Sequence, residues 1–275
     1  MVFLPLFLAT LAGAPRILVH GHRGARAVLP ENTIPAFEHA IRVGADVLEL
    51  DLAVTKDSVL VVSHDPVLDR AICSGPDGTT VIREMTLAEL RRWDCGARKN
   101  PAFPKQKPVP GTSIPTLDEV LDLARLGNFE FNIETKSFPE HPEYTPAPDE
   151  FARLVLEAIR RHGLESWVIV QSFDFRTLQA LRRLAPAIRL AALFDRDGRD
   201  FQAIVREAGA SIAAPNHRLV TREKVNSAHE AGVQVVPWTA NTQADWDRLI
   251  EAGVDGIITD DPEELIRYLK TRGLR

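Results

Sequence analysis

The sequence predicts a closed (β/α)8 barrel, an α/β fold, with an excursion between its second and third strands. Eight short apolar runs alternate with amphipathic stretches of helical spacing. The runs are apolar almost throughout, the pattern of strands buried on both faces of a parallel sheet. The chain has 275 residues, 45% of them apolar, which is the length that eight βα units need when they close on themselves. With 26% charged residues, 19 prolines and 16 glycines, the composition is globular, and folding at this length buries roughly three quarters of the unfolded chain's surface. A disordered, collagen-like or coiled-coil chain is excluded.

In chain order, the first run spans Ile17 to His22 and leads through Asn32, read as a helix start, into a helix over Thr33 to Val43. The second run is Asp46 to Asp51. The third, Phe129 to Glu134, precedes a helix over Phe151 to His162 that Gly163 ends. The fourth, Trp167 to Gln171, is followed by Asp174 as a cap and a helix over Phe175 to Leu184. The fifth is Ile188 to Leu193. The sixth, Ser211 to Ala214, feeds a helix over Thr221 to Ala231 closed by Gly232, and the seventh, Val233 to Trp238, feeds one over Ala244 to Ala252 closed by Gly253. The eighth run, Gly256 to Thr259, precedes a helix over Pro262 to Lys270. Most runs are too short for helices and rich in β-branched or aromatic residues, while Asp before a helix and Gly after it are boundary signals.

Residues 16–275 therefore read as one barrel domain. The excursion, 65–111, carries many prolines, glycines and charges and is expected to bury little core of its own. It leaves the second strand at the end where barrel enzymes place their sites, so it reads as a lid or wall. Phe138 to Pro148 is a second irregular loop on that face.

Residues 1–14 carry an apolar stretch, Val2 to Ala14, too short to span a bilayer but of the length of a signal-peptide core, ending in Ala12-Gly13-Ala14. No Lys or Arg precedes Arg16. The expectation is a signal peptide and a periplasmic or secreted protein, with a cytoplasmic one as the alternative. Only Cys73 and Cys95 are present, so one disulfide or two free thiols are the options. The net charge of -5 gives no electrostatic reason to expect nucleic acid. No stable membrane span and no protein partner are implied.

Sites in such barrels lie at the C-terminal strand ends. There the chain places His22-Arg23-Gly24, Glu49-Leu50-Asp51, Glu134-Thr135-Lys136, Trp238 and Asp260. Side chains two apart on a strand share a face, so Glu49 pairs with Asp51 and Glu134 with Lys136 at the mouth. Three carboxylates in one cleft repel unless a cation or proton compensates them. Oxygen-only ligands favour one hard divalent cation, Mg2+ or Ca2+; the alternative is salt bridging to Arg23 and Lys136 with no metal.

His22 ends the first strand and His64 ends an extended run after the acids, so both can carry protons beside a cation. His39, His162 and His229 fall in helices and His141 in a loop, which marks them as surface or satisfied residues. His20 is expected to be a hydrogen-bonded core residue, and His217 could reach the mouth. A cation, two proton carriers and two fixed positive charges suit a phosphoester.

The segments GHRGARAVLPENTIPAF from Gly21, LELDLAVTKDSVLVVSHDPVLDR from Leu48, IPTLDEVL from Ile114, FNIETKS from Phe131, VVPWTAN from Val235 and GVDGIITDDPEEL from Gly253 resemble the glycerophosphodiester phosphodiesterase family over essentially the whole chain after Pro15. The resemblance implies that Glu49, Asp51 and Glu134 hold the divalent ion, that His22 and His64 are the catalytic acid and base, that Arg23 and Lys136 contact phosphate and that Trp238 packs near the glycerol. It implies metal-dependent hydrolysis of a small-molecule glycerophosphodiester, such as glycerophosphocholine or glycerophosphoethanolamine, to glycerol 3-phosphate and an alcohol. In the mechanism that it implies, a neighbouring glycerol hydroxyl attacks phosphorus and water opens the cyclic phosphate. The alternatives are a lysophospholipase D or sphingomyelinase D-like lipid phosphodiesterase and a non-catalytic phosphodiester-binding protein.

Overall fold

A computed structural model describes residues 16–275; the signal peptide expected over residues 1–14 lies outside the described residues. The strands are β1 (Leu18–Gly21), β2 (Val47–Val54), β3 (Leu60–Val62), β4 (Glu130–Thr135), β5 (Val168–Ser172), β6 (Arg189–Phe194), β7 (Ile212–Pro215), β8 (Gln234–Val235) and β9 (Gly256–Thr259). All but β3 pair in parallel, in the order β8-β7-β6-β5-β4-β2-β1-β9. Those eight strands are the eight apolar runs. Pro237 has no N–H to give, so β8 is short, yet the ring is drawn together there. Asp255 N donates to Val235 O, Ile258 N to Pro237 O and Ala240 N to Ile258 O, each at 3.0 Å.

The helices are α1 (Ile34–Val43), α2 (Leu87–Leu90), α3 (Leu117–Leu121), α4 (Pro148–Arg161), α5 (Phe175–Leu184), α6 (Phe201–Ala208), α7 (Arg222–Glu230), α8 (Gln243–Ala252) and α9 (Pro262–Thr271). Asp174 caps α5 by accepting from Arg176 N. Gly163, Gly232 and Gly253 follow α4, α7 and α8 with positive φ, as helix ends favour. Asn32 does not cap α1. That position belongs to Thr33, whose hydroxyl donates to Pro30 O at 2.6 Å, and Asn32 sits at φ 57° with its amide turned to the barrel mouth. Among the described residues no helix is long and apolar enough to cross a membrane.

Strand alternation divides the core in two. Leu48, Leu50, Leu52, Ile133, Val170 and Leu190 face outward into the large cluster beneath the helices. Inside the ring, Ile169, Ala191, Leu193, Ile212, Ala214, Val236 and Ile258 form a separate apolar cluster contributed by β5, β6, β7, β9 and the segment after β8. The rest of the interior is polar and buried: His20, Glu49, Asp51, Asn132, Glu134 and Gln171.

The excursion departs from the expectation. It builds a small core of its own, in which Leu68, Cys73, Ile82, Met85, Leu90 and Trp93 pack with Ala53, Val61 and Ile114. The hairpin β2–β3 supplies part of that core, which a reading confined to 65–111 misses. Cys73 and Cys95 are disulfide-bonded, a closure over 22 residues that contributes roughly 3 kcal/mol in the entropic model. The two ends of the excursion are clasped: Val62 N donates to Pro115 O at 2.9 Å and Val61 bridges Thr116. Gln106 seats it on the barrel, donating to Arg26 O at 2.9 Å and Leu29 O at 3.1 Å.

His20 is buried, but neither ring nitrogen has a hydrogen-bond partner, so the expected bonded core histidine is corrected. Burial, opposed by Asp46 and assisted by Arg189, pulls its pKa from 6.5 down to about 3. Between those values the unfolded chain binds a proton that the folded chain refuses, so stability falls as pH drops through that window. We expect His20→Leu to flatten the decline by up to about 1.4 kcal/mol per pH unit, read from denaturant unfolding between pH 6.5 and 4. An unchanged slope would refute the assignment.

Candidate active site

The end of β1 turns sharply because two glycines permit it. A Cβ on Gly21 would lie 2.3 Å from Gly24 O, and one on Gly24 would lie 2.7 Å from the backbone of Ala36. Between them Arg23 takes φ 50°, a conformation uncommon outside glycine. The turn lays the Arg23 backbone N–H on Glu49 Oε2 at 2.9 Å and brings Arg23 Nε to 3.3 Å from Asp51 Oδ2.

Glu49 and Asp51 rise from β2 and Glu134 from β4, all buried, with one oxygen of each lying within 4.8 Å of the others. Polar neighbours hold them in place. Gln171 Nε2 donates to Glu49 Oε1 at 2.9 Å and is itself held by Asn132, while Asn32 Nδ2 donates to Asp51 Oδ2 at 2.9 Å. Lys136 Nζ lies 2.9 Å from Glu134 and 3.8 Å from Asp51.

The salt bridges anticipated as the alternative do exist, but they do not balance the charge. Arg23 is shared with Glu31 at 2.6 Å, so three inner carboxylates have less than two full cations. Burial, with Asp51 and Glu134 adding repulsion, drives the Glu49 carboxyl well above its ordinary value. Burial also lifts Glu134, against the pull of Lys136 and with the push of Asp51, to about 7. Burial would raise Asp51 as well, but Arg23, His64 and Lys136 outweigh it and hold this group ionised. Asp51 Oδ1 is buried with no hydrogen-bond donor. An unpartnered oxygen, an all-oxygen donor set and a deficit of positive charge fit a hard divalent cation.

His22 and His64 stand over this trio. His22 Nδ1 is 2.5 Å from Asp260 Oδ1, and its Nε2 is 4.0 Å from Glu49. Asp260 is steadied by Asn241, whose Nδ2 donates to Oδ2 at 2.7 Å. Burial lowers the His22 pKa although Asp260 opposes it, so the ring stays neutral with Nε2 turned to the site. His64 Nδ1 lies 2.8 Å from Asp65, on the more open side. Trp238 is fixed by donation from Nε1 to Ala214 O at 2.9 Å and stands edge-on to Phe173, with ring centroids 5.4 Å apart.

Seven of the eight residues singled out in the sequence, all but Asp51, line one pocket, and Asp51 lies beneath it beside Glu49 and Glu134. His217 does not join them. It is drawn aside to Asp245 at 3.2 Å and Arg248 at 3.1 Å. The sequence reading gave Asn32, Gln171, Asn241 and Phe173 no part in the site and gave Asp260 no role beyond ending a strand. Gln171 also ended a run, a usable signal; Asn32 was masked by its fitness as a helix cap.

Residues 22–264 match the model of the Glycerophosphoryl diester phosphodiesterase family. A glycerophosphodiester phosphodiesterase of Caldanaerobacter subterraneus subsp. tengcongensis is 34% identical over 262 residues, 94% of this chain and all of that protein. One from Bacillus subtilis is 34% identical over 265 residues, 92% of this chain and 86% of its own length. Among solved structures, an Oleispira antarctica phosphodiesterase in complex with its product sn-glycerol-3-phosphate shares the fold, with a TM-score of 0.78 over 93% of this chain and 97% of that one at 22% identity.

Adding Mg2+ or Ca2+ to metal-free protein is expected to raise its melting temperature, since an ion bound only by the folded state stabilises it. Glu49→Gln should raise the Kd at least about tenfold while leaving metal-free melting within a few degrees. Titration calorimetry beside thermal melting checks this; equal affinity in both proteins would exclude Glu49 as a ligand.

Proposed function

The chain belongs to the glycerophosphoryl diester phosphodiesterase family, and from that premise we propose that it hydrolyses glycerophosphodiesters, glycerophosphocholine and glycerophosphoethanolamine among them, to glycerol 3-phosphate and an alcohol. It is thus a phosphoric diester hydrolase. The observation that carries the reading is the meeting of an acidic trio, two carboxylate-held imidazoles and two cations at one mouth of the barrel.

Glu49, Asp51 and Glu134 would hold Mg2+ or Ca2+, which when bound supplies positive charge against the phosphoryl oxygens. Arg23 and Lys136 bind the phosphoryl group from the sides, adding charge that needs no reorganisation. Trp238 backs the glycerol arm. Asp260 accepts the Nδ1 proton of His22 and so presents Nε2 as a base.

In the first step the glycerol C2 oxygen bonds to phosphorus while its proton passes to His22 Nε2. The bond from phosphorus to the alcohol breaks as His64 gives its proton to the departing oxygen. In the second step a water oxygen bonds to phosphorus, its proton returns to His64, and the C2 oxygen leaves with the proton held by His22. One water has been added across one P–O bond, and both histidines are restored.

The Cys73–Cys95 disulfide supports a periplasmic or secreted location over a cytoplasmic one, because the cytosol keeps thiols reduced. Residues 16–275 act in this reading as one catalytic barrel domain. A lysophospholipase D activity is favoured by one observation, the shallow groove of Phe175 and Phe194 that continues from Phe173 and Leu193 of the pocket.

Incubation with glycerophosphocholine and a divalent ion is expected to release glycerol 3-phosphate, chelation to stop it, and lysophosphatidylcholine to be the poorer substrate by kcat/KM. Silence with every divalent ion tried would defeat the reading. His64→Ala should lose at least about a hundredfold in turnover with its melting temperature kept. Asp260→Asn should lower kcat by about tenfold or more, because the amide can no longer enforce the tautomer of His22; wild-type kcat in that variant would remove Asp260 from the mechanism.

A further inference from the structure

His64 has a pocket on each side of it. One is the pocket of the acidic trio; the other, smaller one lies between the excursion and the turn after β1. Most of its open surface is apolar, from Val62, Leu68, Ile72, Ile114 and the Cys73–Cys95 disulfide, and Asn32, Thr33, Ser63, Asn100 and Gln106 supply its neutral polar groups. The charged groups at its edge are already engaged. Asp65 holds His64, Asp69 accepts from Ala71 N at 2.8 Å, and Arg98 donates to Arg70 O.

A phosphodiester has two alcohol arms, and a phosphoryl group seated between Arg23 and Lys136 must send them in different directions. The side of His22 is closed, for that ring is wedged between Glu49 and Asp260 with 13% of its side chain exposed. The side of His64 is open, at 30%. An arm that runs past His64 enters the second pocket, and its ester oxygen lies beside the imidazole that would protonate it. No Phe, Tyr or Trp lines this pocket, so it offers no aromatic cage for a quaternary ammonium. What it offers is chiefly aliphatic and sulfur surface with polar groups at its margin.

We infer that the pocket between the excursion and the β1 turn is the subsite for the leaving alcohol, and that it takes an alcohol with an aliphatic body of several carbons. The inference rests on the hydrolase reading above and extends it from the reaction to the choice of substrate. It gives the excursion a chemical task, since four of its residues, Leu68, Ile72, Cys73 and Cys95, form one wall.

The test is a series of sn-glycero-3-phosphate esters of methanol, butanol and hexanol with the wild-type protein. Burying a methylene from water is worth up to about fourfold in binding, so kcat/KM should rise at least about tenfold from the methyl to the butyl ester. Ile72→Trp, which fills the pocket from a half-buried position on its wall, should cut the butyl-to-methyl ratio at least about fivefold, with thermal melting to verify folding. Val67→Phe, lining the same pocket, serves if the first variant does not fold. All three esters turning over at equal kcat/KM, or a ratio that both folded variants leave unchanged, would overturn the subsite and leave the hydrolase reading intact. No turnover of any ester would overturn both.

Discussion

The structure is organised around an electrostatic conflict: three carboxylates, from Glu49, Asp51 and Glu134, share buried space at one end of a barrel. Moving even one such group out of water is expensive, and three together are tolerable only with cations or protons close by. The polypeptide answers in part. Arg23 comes from the turn after β1 and Lys136 from the end of β4, Asn32 and Gln171 contribute amide donors, and the Arg23 backbone N–H is given to Glu49. The remaining deficit belongs to the site's chemistry, because a centre that draws a cation to itself can also offset charge on a phosphoryl group.

The barrel carries this load by dividing its interior. The strands from β6 to β9 fill their share with apolar side chains, β1, β2 and β4 carry most of the polar ones, and β5 gives Ile169 to the first set and Gln171 to the second. The apolar half excludes water from one wall and keeps the effective dielectric low, which strengthens every ion pair on the other. Outward-facing Leu48, Leu50 and Leu52 anchor β2 beneath the helices, so the strand holding two of the three acids is among the most firmly packed.

Much of this was legible in the primary structure. Strand periodicity located the parallel strands, and the polar residues that end them are conspicuous after apolar runs, which is why Glu49, Asp51, Glu134, His22 and Lys136 could be placed at one mouth without coordinates. Other features were hidden by physics that acts at long range. Asn32 has every attribute of a helix cap, yet tertiary contact with Asp51 claims its amide. His20 has no local signature of an unpartnered ring. The core of the excursion is invisible in its own composition because Ala53 and Val61, from a hairpin outside it, complete the cluster. Asp260 is an ordinary strand-end acid until the fold sets it against His22, 238 residues away in the chain.

The excursion enters and leaves the barrel through a clasp, with Val61 and Val62 joined to Pro115 and Thr116 by backbone hydrogen bonds. Everything between those points therefore leaves and rejoins the barrel at one place, much as an antigen-binding loop does its framework, and is seated against it by Gln106 and by the core shared with Ala53 and Val61. Its length and lining could drift over generations while the acids on β2 and β4 kept their mutual spacing. In such an arrangement the barrel keeps the reaction, and remodelling one stretch of surface changes which ester groups fit beside it.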